Sequence, residues 1–175
     1  MRILRYLLWF PFVIIASLLI LALCFPKATI ENNYVIDAPI INTWNYFHNQ
    51  SKMPLWMDGF KRLQVIEETP NKIDSKYILH FQVDGNDMMM NQTITYFEIY
   101  KKFGFTIENP GANSYNSIAF IENENNSTSI IQKTIIKPTS FFFRPVLPIV
   151  KIAMSKKNNK NYNRLKKLIE EEYKS

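Results

Sequence analysis

VIDAPIINTWNYFHNQSKMPLW, residues 35–56, sets strand, turn and helix signals side by side. It opens as the end of a strand. Ala38-Pro39 stops that strand, and Ile40, Ile41, Trp44 and Phe47 then recur at helical spacing. Asp37 or Ala38 is placed to cap this helix, with Pro39 in the first turn, where a missing N–H costs nothing. Asn49-Gln50-Ser51 ends it, and Met53-Pro54-Leu55-Trp56 begins a second short turn. A strand, two short helices and two Trp this close together describe a corner. Trp44, Phe47 and Trp56 are expected to seal that corner against a sheet.

The surrounding sequence supplies the sheet. Upstream, residues 29–37 alternate, with Ile30, Tyr34 and Ile36 on one side. Downstream, strands are predicted over 61–68, 76–85, 88–100, 103–109, 114–122 and 127–137. Pro110-Gly111 and Asn123 to Asn126 mark turns between them. In 76–85, Tyr77, Leu79, Phe81 and Val83 share one face and His80 lies on the other. Pro138 ends the last strand. After the apolar run 141–150, residues from about Pro148 to Tyr173 turn helical, with Met154, Tyr162, Leu165, Leu168, Ile169 and Tyr173 on one side. The predicted class is α+β: a curved, seven-stranded antiparallel sheet, two short helices and a long C-terminal helix over the concave face.

This order and these residues resemble the START-like superfamily, also called SRPBCC, with its helix-grip fold. Ala38-Pro39, Trp44 and Phe47 match the family's opening pattern, and Pro54 and Trp56 match its second half. Met53 stands where a first Trp is usual. YNRLKKLIEE, residues 162–171, resembles the closing helix, and the similarity covers about residues 28–175. The resemblance implies a hydrophobic cavity between sheet and helix, binding a lipid or other apolar small molecule. Some members are polyketide cyclases or dehydratases. The matched residues are structural, so no catalytic residue carries over from them.

Residues 6–26 carry no charge. As a helix they span roughly 30 Å, the thickness of a bilayer core. The expectation is an uncleaved N-terminal transmembrane anchor over residues 1–27, followed by the START-like domain over 28–175. A cleaved signal peptide is the weaker reading, because the run is long and no small-x-small site follows it. A lipoprotein signal ending at Cys24 would need a small residue where Leu23 stands. Arg2 and Arg5 precede the span, which puts the N-terminus in the cytoplasm and the domain outside it. Some bacterial members of the resembled family carry such a helix, so a bacterial inner membrane is the expected location.

The remaining composition mostly excludes. One cysteine rules out an internal disulfide framework, and 4 glycines leave no material for a phosphate loop. No cofactor or metal motif is present. The net charge is +6, and the lysines clustered at 156–167 are too modest a patch for nucleic acid. They suit anionic headgroups better. Nothing in the sequence sets an oligomeric state.

Candidate ligand-binding residues are Tyr77, Leu79, Phe81 and Val83, then Trp56 and Met154. Asn158 and Asn161 read equally as polar groups at the cavity mouth, orienting an amphipathic ligand, or as solvated residues where the helix lifts off the sheet. Met88-Met89-Met90 reads either as an adaptable lip or as an ordinary strand start. Glu98 is the one weak catalytic candidate. It shares an alternating face with Ile94, Tyr96 and Tyr100, and that face reads more readily as the solvated one. His48 is expected at the surface or in a cap. A cyclase- or dehydratase-like enzyme with Glu98 as base is the alternative function, and an interaction module with a filled core is another.

Overall fold

The computed structural model describes residues 12–14, 16–17, 19–20 and 22–174. β1 (Ala28–Ile36) leads into α1 (Ile40–His48) and α2 (Met53–Trp56). β2 (Phe60–Glu67), β3 (Lys76–Val83), β4 (Asn86–Glu98), β5 (Lys102–Glu108), β6 (Ala112–Glu122) and β7 (Thr128–Pro138) follow. A 3-10 helix (Phe141–Val146) then opens α3 (Leu147–Lys174). The strands form one antiparallel sheet in the order β1-β7-β6-β5-β4-β3-β2. Six of them are a meander of hairpins. β1 closes the sheet by pairing with β7, from Ala28 opposite Ile136 to Ile36 opposite Thr128. This is the predicted curved sheet with a long C-terminal helix.

Alternation decides which side of the sheet is buried. On β7, Thr128, Ile130, Gln132, Thr134 and Ile136 point inward and are buried. The same period buries Tyr77, Leu79 and Phe81 on β3. α3 lies over this face. Its Tyr162, Leu165 and Ile169 pack with Ile36, Trp44, Phe47, Trp56, Ile118, Phe120 and Ile130. Farther back along α3, Leu147 packs with Ala28, Ile30 and Ile136. Trp44, Phe47 and Trp56 do seal the corner: the Phe47 ring lies 5.2 Å from Trp56 and 5.4 Å from Phe120, and Trp44 lies 4.9 Å from Phe120.

Two local expectations are corrected. Pro39 itself takes the N-cap position of α1, with no side-chain cap bond, so neither Asp37 nor Ala38 caps it. The backbone N–H of Asp37 instead donates to the Glu170 carboxylate of α3, at 2.8 Å. Ile41 is exposed, and Thr43 and Tyr46 are buried in its place.

The described residues between 12 and 24 are helical. No helix among the described residues is long and apolar enough to cross a membrane. The expected anchor covers residues 1–27, of which 1–11, 15, 18 and 21 lie outside the described residues.

Candidate functional site

Under α3 the sheet does not fill. A cavity of about 350 Å³ lies between the inner face of the sheet, α1, α2 and the first half of α3. That volume falls at the lower end of the range for small-molecule sites. Its wall is mostly apolar. Tyr77, Leu79 and Phe81 form one side with Leu63, Phe105 and Ile107; Met53, Trp56, Met57 and Met154 close over them. Five of the six residues expected to contact ligand therefore line one space: Tyr77, Leu79, Phe81, Trp56 and Met154. Val83 does not. It ends β3, 36% exposed, beyond the cavity. The methionine triplet stays outside as well. Met88 and Met89 are exposed, while Met90 packs on the cluster of Phe60, Leu79 and Phe81.

Glu98 is not in the cavity. β4 bulges between Ile94 and Tyr96, and that extra residue reverses the alternation. Ile94 and Phe97 both reach the cavity, whereas Tyr96 and Glu98 point to solvent. The bulge is possible because Gly104 sits opposite. A Cβ there would lie 3.0 Å from Thr95 Oγ1 and 3.2 Å from Tyr96 Cβ. Hydrogen bonds from Lys101 and from the Tyr96 hydroxyl (2.6 Å) hold the Glu98 carboxyl below the usual carboxylate range. The raised pKa that a buried acid or base would need is absent. His80 also faces outward, its Nε2 3.0 Å from Gln64 Oε1.

His48 is the residue that pattern reading misplaced. It is not a surface residue but a cavity one, at the end of α1. Trp44, Phe47, Phe97 and Phe103 surround its ring at 4.1–5.8 Å. Burial among these rings pushes its pKa down to about 4, so it is neutral at pH 7. Nδ1 lies 3.0 Å from the Trp44 carbonyl oxygen. A carbonyl only accepts, so Nδ1 carries the proton and Nε2 presents a bare lone pair. That Nε2 is buried without a partner. The signal was present: position 48 is four residues after Trp44 and lies on the same helical face.

Other polar groups share the cavity. Asn116 and Ser114 on β6, Gln132 on β7 and Gln92 on β4 all line it. Three of these belong to a hydrogen-bonded patch. Thr134 Oγ1 donates to Asn116 Oδ1 (2.8 Å), and Asn116 Nδ2 donates to Ser114 Oγ (3.1 Å). Gln132 Nε2 reaches Thr134 Oγ1 at 3.5 Å. Gln92 is buried, and its amide forms no hydrogen bond with a described residue. On α3, Asn161 Oδ1 accepts the Asp58 backbone N–H (3.1 Å), and Asn158 Nδ2 is buried without a partner. Both asparagines line the cavity, the first of the two readings their spacing left open. Leaving a buried polar group unpaired costs about 1–3 kcal/mol.

Glu68 and Lys72 bring the only formal charges to the described lining, and they pair with each other on the loop after β2. Among the described residues no group of His, Cys, Asp and Glu could hold a metal ion. The lysines of α3 are partly neutralised, Lys160 by Asp58 and Lys166 by Glu170.

No family model and no curated protein sequence matches the chain. Solved structures do match by shape. A START superfamily protein from Mycobacterium smegmatis aligns with a TM-score of 0.62 at 13% identity, over 83% of this chain and 97% of its own. Ara h 8.0201 aligns at 0.69 and 9% identity, over 82% and 97%. StfQ, a di-domain ARO/CYC from the steffimycin biosynthetic pathway, aligns at 0.68 and 12% identity, over 85% of this chain and 53% of its own. The chain has a START-like, helix-grip fold. Identities this low establish the fold and nothing finer.

Proposed function

We propose that this protein binds a hydrophobic small molecule or lipid in the cavity beneath α3. The single observation that carries the reading is the cavity itself: about 350 Å³ of space with a mostly apolar wall, in a position where a sealed core would be more stable. Burial of ligand area there contributes about 25 cal/mol per Å² before the costs of association. The interaction-module alternative requires a filled core, which this space argues against. The enzyme alternative loses its residue, because Glu98 faces solvent. His48 is a poor substitute as a base: a group with a pKa of about 4 takes up a proton weakly at neutral pH.

The domain is tethered, in this proposal, to a bacterial inner membrane by residues 1–27 and stands outside the cytoplasm. The uncharged run 6–26 supports the tether. So does an apolar surface at the end of the domain where the chain arrives. Ala28 packs in the cluster around Leu147. From the same end Phe142 (87% exposed), Ile149 (69%) and Ile152 (58%) project into solvent. A bilayer surface held there by the tether would cover them.

The first test expresses residues 28–175, which contain the whole sheet and α3, and extracts whatever co-purifies. A reproducible apolar compound seen by native mass spectrometry is the expected result. A clean apo mass, with no thermal shift across a lipid panel, would overturn the binding reading. The tether is checked separately, by carbonate washing of membranes containing the full chain: retention is expected. A reporter fused to the C-terminus should be active only outside the cytoplasm.

A further inference from the structure

Resting on that reading of the cavity, the polar groups of its wall narrow the ligand. Apart from the Glu68–Lys72 pair, their chemistry is mixed and uncharged. His48 Nε2 can only accept. Asn158 Nδ2 can only donate. The Gln92 amide can do both and is bonded to nothing else among the described residues. Ser114 accepts from Asn116 and keeps its own hydroxyl proton to give. These groups come from α1, α3, β4 and β6, so they approach the cavity from several sides rather than as one strand's polar edge.

Charge is missing where it would matter. Lys72 is the only cation in the described lining, and it is part-exposed and paired to Glu68. A carboxylate or phosphate drawn inside would lose its water and meet no positive partner. Its oxygens would also face the His48 lone pair, which cannot donate. A protonated imidazole could rescue that contact, but the surrounding rings keep this one neutral at pH 7. A purely hydrocarbon ligand fails differently, since it would leave His48, Gln92 and Asn158 unpaired against methylenes.

We infer that the cavity takes an uncharged amphipathic molecule, an apolar body bearing hydroxyl or carbonyl groups, and rejects the corresponding carboxylate. A hydroxyl supplies both halves of what the wall lacks: a proton for His48 Nε2 and an oxygen for the Asn158 or Gln92 amide.

The test uses the full chain in lipid nanodiscs and three photoactivatable probes of one chain length: an alcohol, its carboxylate and the alkane. Adducts on the peptides of β4 and α3 are quantified by mass spectrometry. The alcohol is expected to label these peptides roughly tenfold more than the carboxylate or the alkane, the size of effect expected of one satisfied buried group. Gln92→Leu, which keeps the volume and removes the amide, should bring alcohol and alkane closer together. Equal labelling by carboxylate and alcohol would overturn the inference while leaving the cavity reading intact. So would a Gln92→Leu protein with an unchanged preference. Alkane labelling equal to alcohol would mean that water satisfies the polar wall, and would overturn it too. Labelling by none of the three would defeat the binding reading itself, and this inference with it.

Discussion

The two halves of α3 sit over the same sheet and meet it differently. In the second half, Tyr162, Leu165 and Ile169 pack into a closed cluster with Trp44, Phe47, Phe120 and Ile130. In the first half, Met154, Asn158 and Asn161 occupy the equivalent positions, and the space beneath them stays open. Helix and sheet need not separate for this to happen. Short polar side chains replace long apolar ones along the inward line, on the helix and again on β6 and β7, where Ser114, Asn116 and Gln132 stand. From Tyr162 onward the helix closes on the sheet, between Met154 and Asn161 it leaves space, and at its start Leu147 packs again on Ala28, Ile30 and Ile136.

Changing one inward residue in each half should move stability in opposite directions. Leu165 is fully buried, and Leu165→Ala should cost about 2–5 kcal/mol in urea denaturation, as a well-packed core position does. Asn158→Leu should act in the opposite direction. It removes an unpaired buried amide and fills space, so stability should hold or rise by about 1 kcal/mol while ligand labelling falls. If Asn158→Leu destabilised as much as Leu165→Ala, the two halves would be one core and the contrast would be wrong.

His48 sits where the two halves meet, and pH reads its surroundings. Its folded pKa, about 4, lies below the ordinary value of 6.5, so between those values the unfolded chain binds more protons than the folded one. Stability therefore rises with pH. The contribution is complete above about pH 6.5 and is lost progressively down to about pH 4. The shift corresponds to something on the order of 3 kcal/mol. His48→Phe should flatten that part of the stability–pH curve. An unchanged slope in the variant would mean that the ring is solvated and the cavity wetter than its aromatic wall implies.

The fold was legible because the chain's signals agree across levels. Alternation marks strands such as β3 and β7, Ala38-Pro39 marks the corner, and the inward line of α3 is periodic from Met154 to Ile169. Tyr77, Leu79 and Phe81 follow from the alternation of β3, and Trp56 and Met154 from the corner and the inward line of α3. On β4 the failure is a single residue of register. Reading β4 as an unbroken strand puts Ile94 and Glu98 together on one face, favoured as the solvated one; Glu98 is outside, but the bulge leaves Ile94 inside and brings Phe97 in with it. Gly104, mid-strand between two Phe, was the available signal, since a glycine there marks a bulge or close backbone approach. Val83 fails because period alone does not say where a cavity ends. His48 was hidden by its polarity, although its spacing from Trp44 put it on the buried face. The cavity itself lay beyond pattern reading, because empty space depends on the packing of many side chains at once.

Glu98 lies on the solvent side of β4, bonded to Lys101 and Tyr96, with a pKa held low by both. Its neighbour Phe97 lines the cavity from the other side of the same strand. Glu98→Gln keeps the shape and removes only the charge. Exposed ion pairs of this kind contribute little, because water and salt screen them. The melting temperature should stay within measurement error, and probe labelling on β4 and α3 should not change at any pH between 5 and 8. Phe97→Ala, one residue away, should alter labelling. A Glu98→Gln protein with altered labelling and an intact melting curve would restore the carboxylate to the site, and would mean that β4 runs without the bulge that now turns it away.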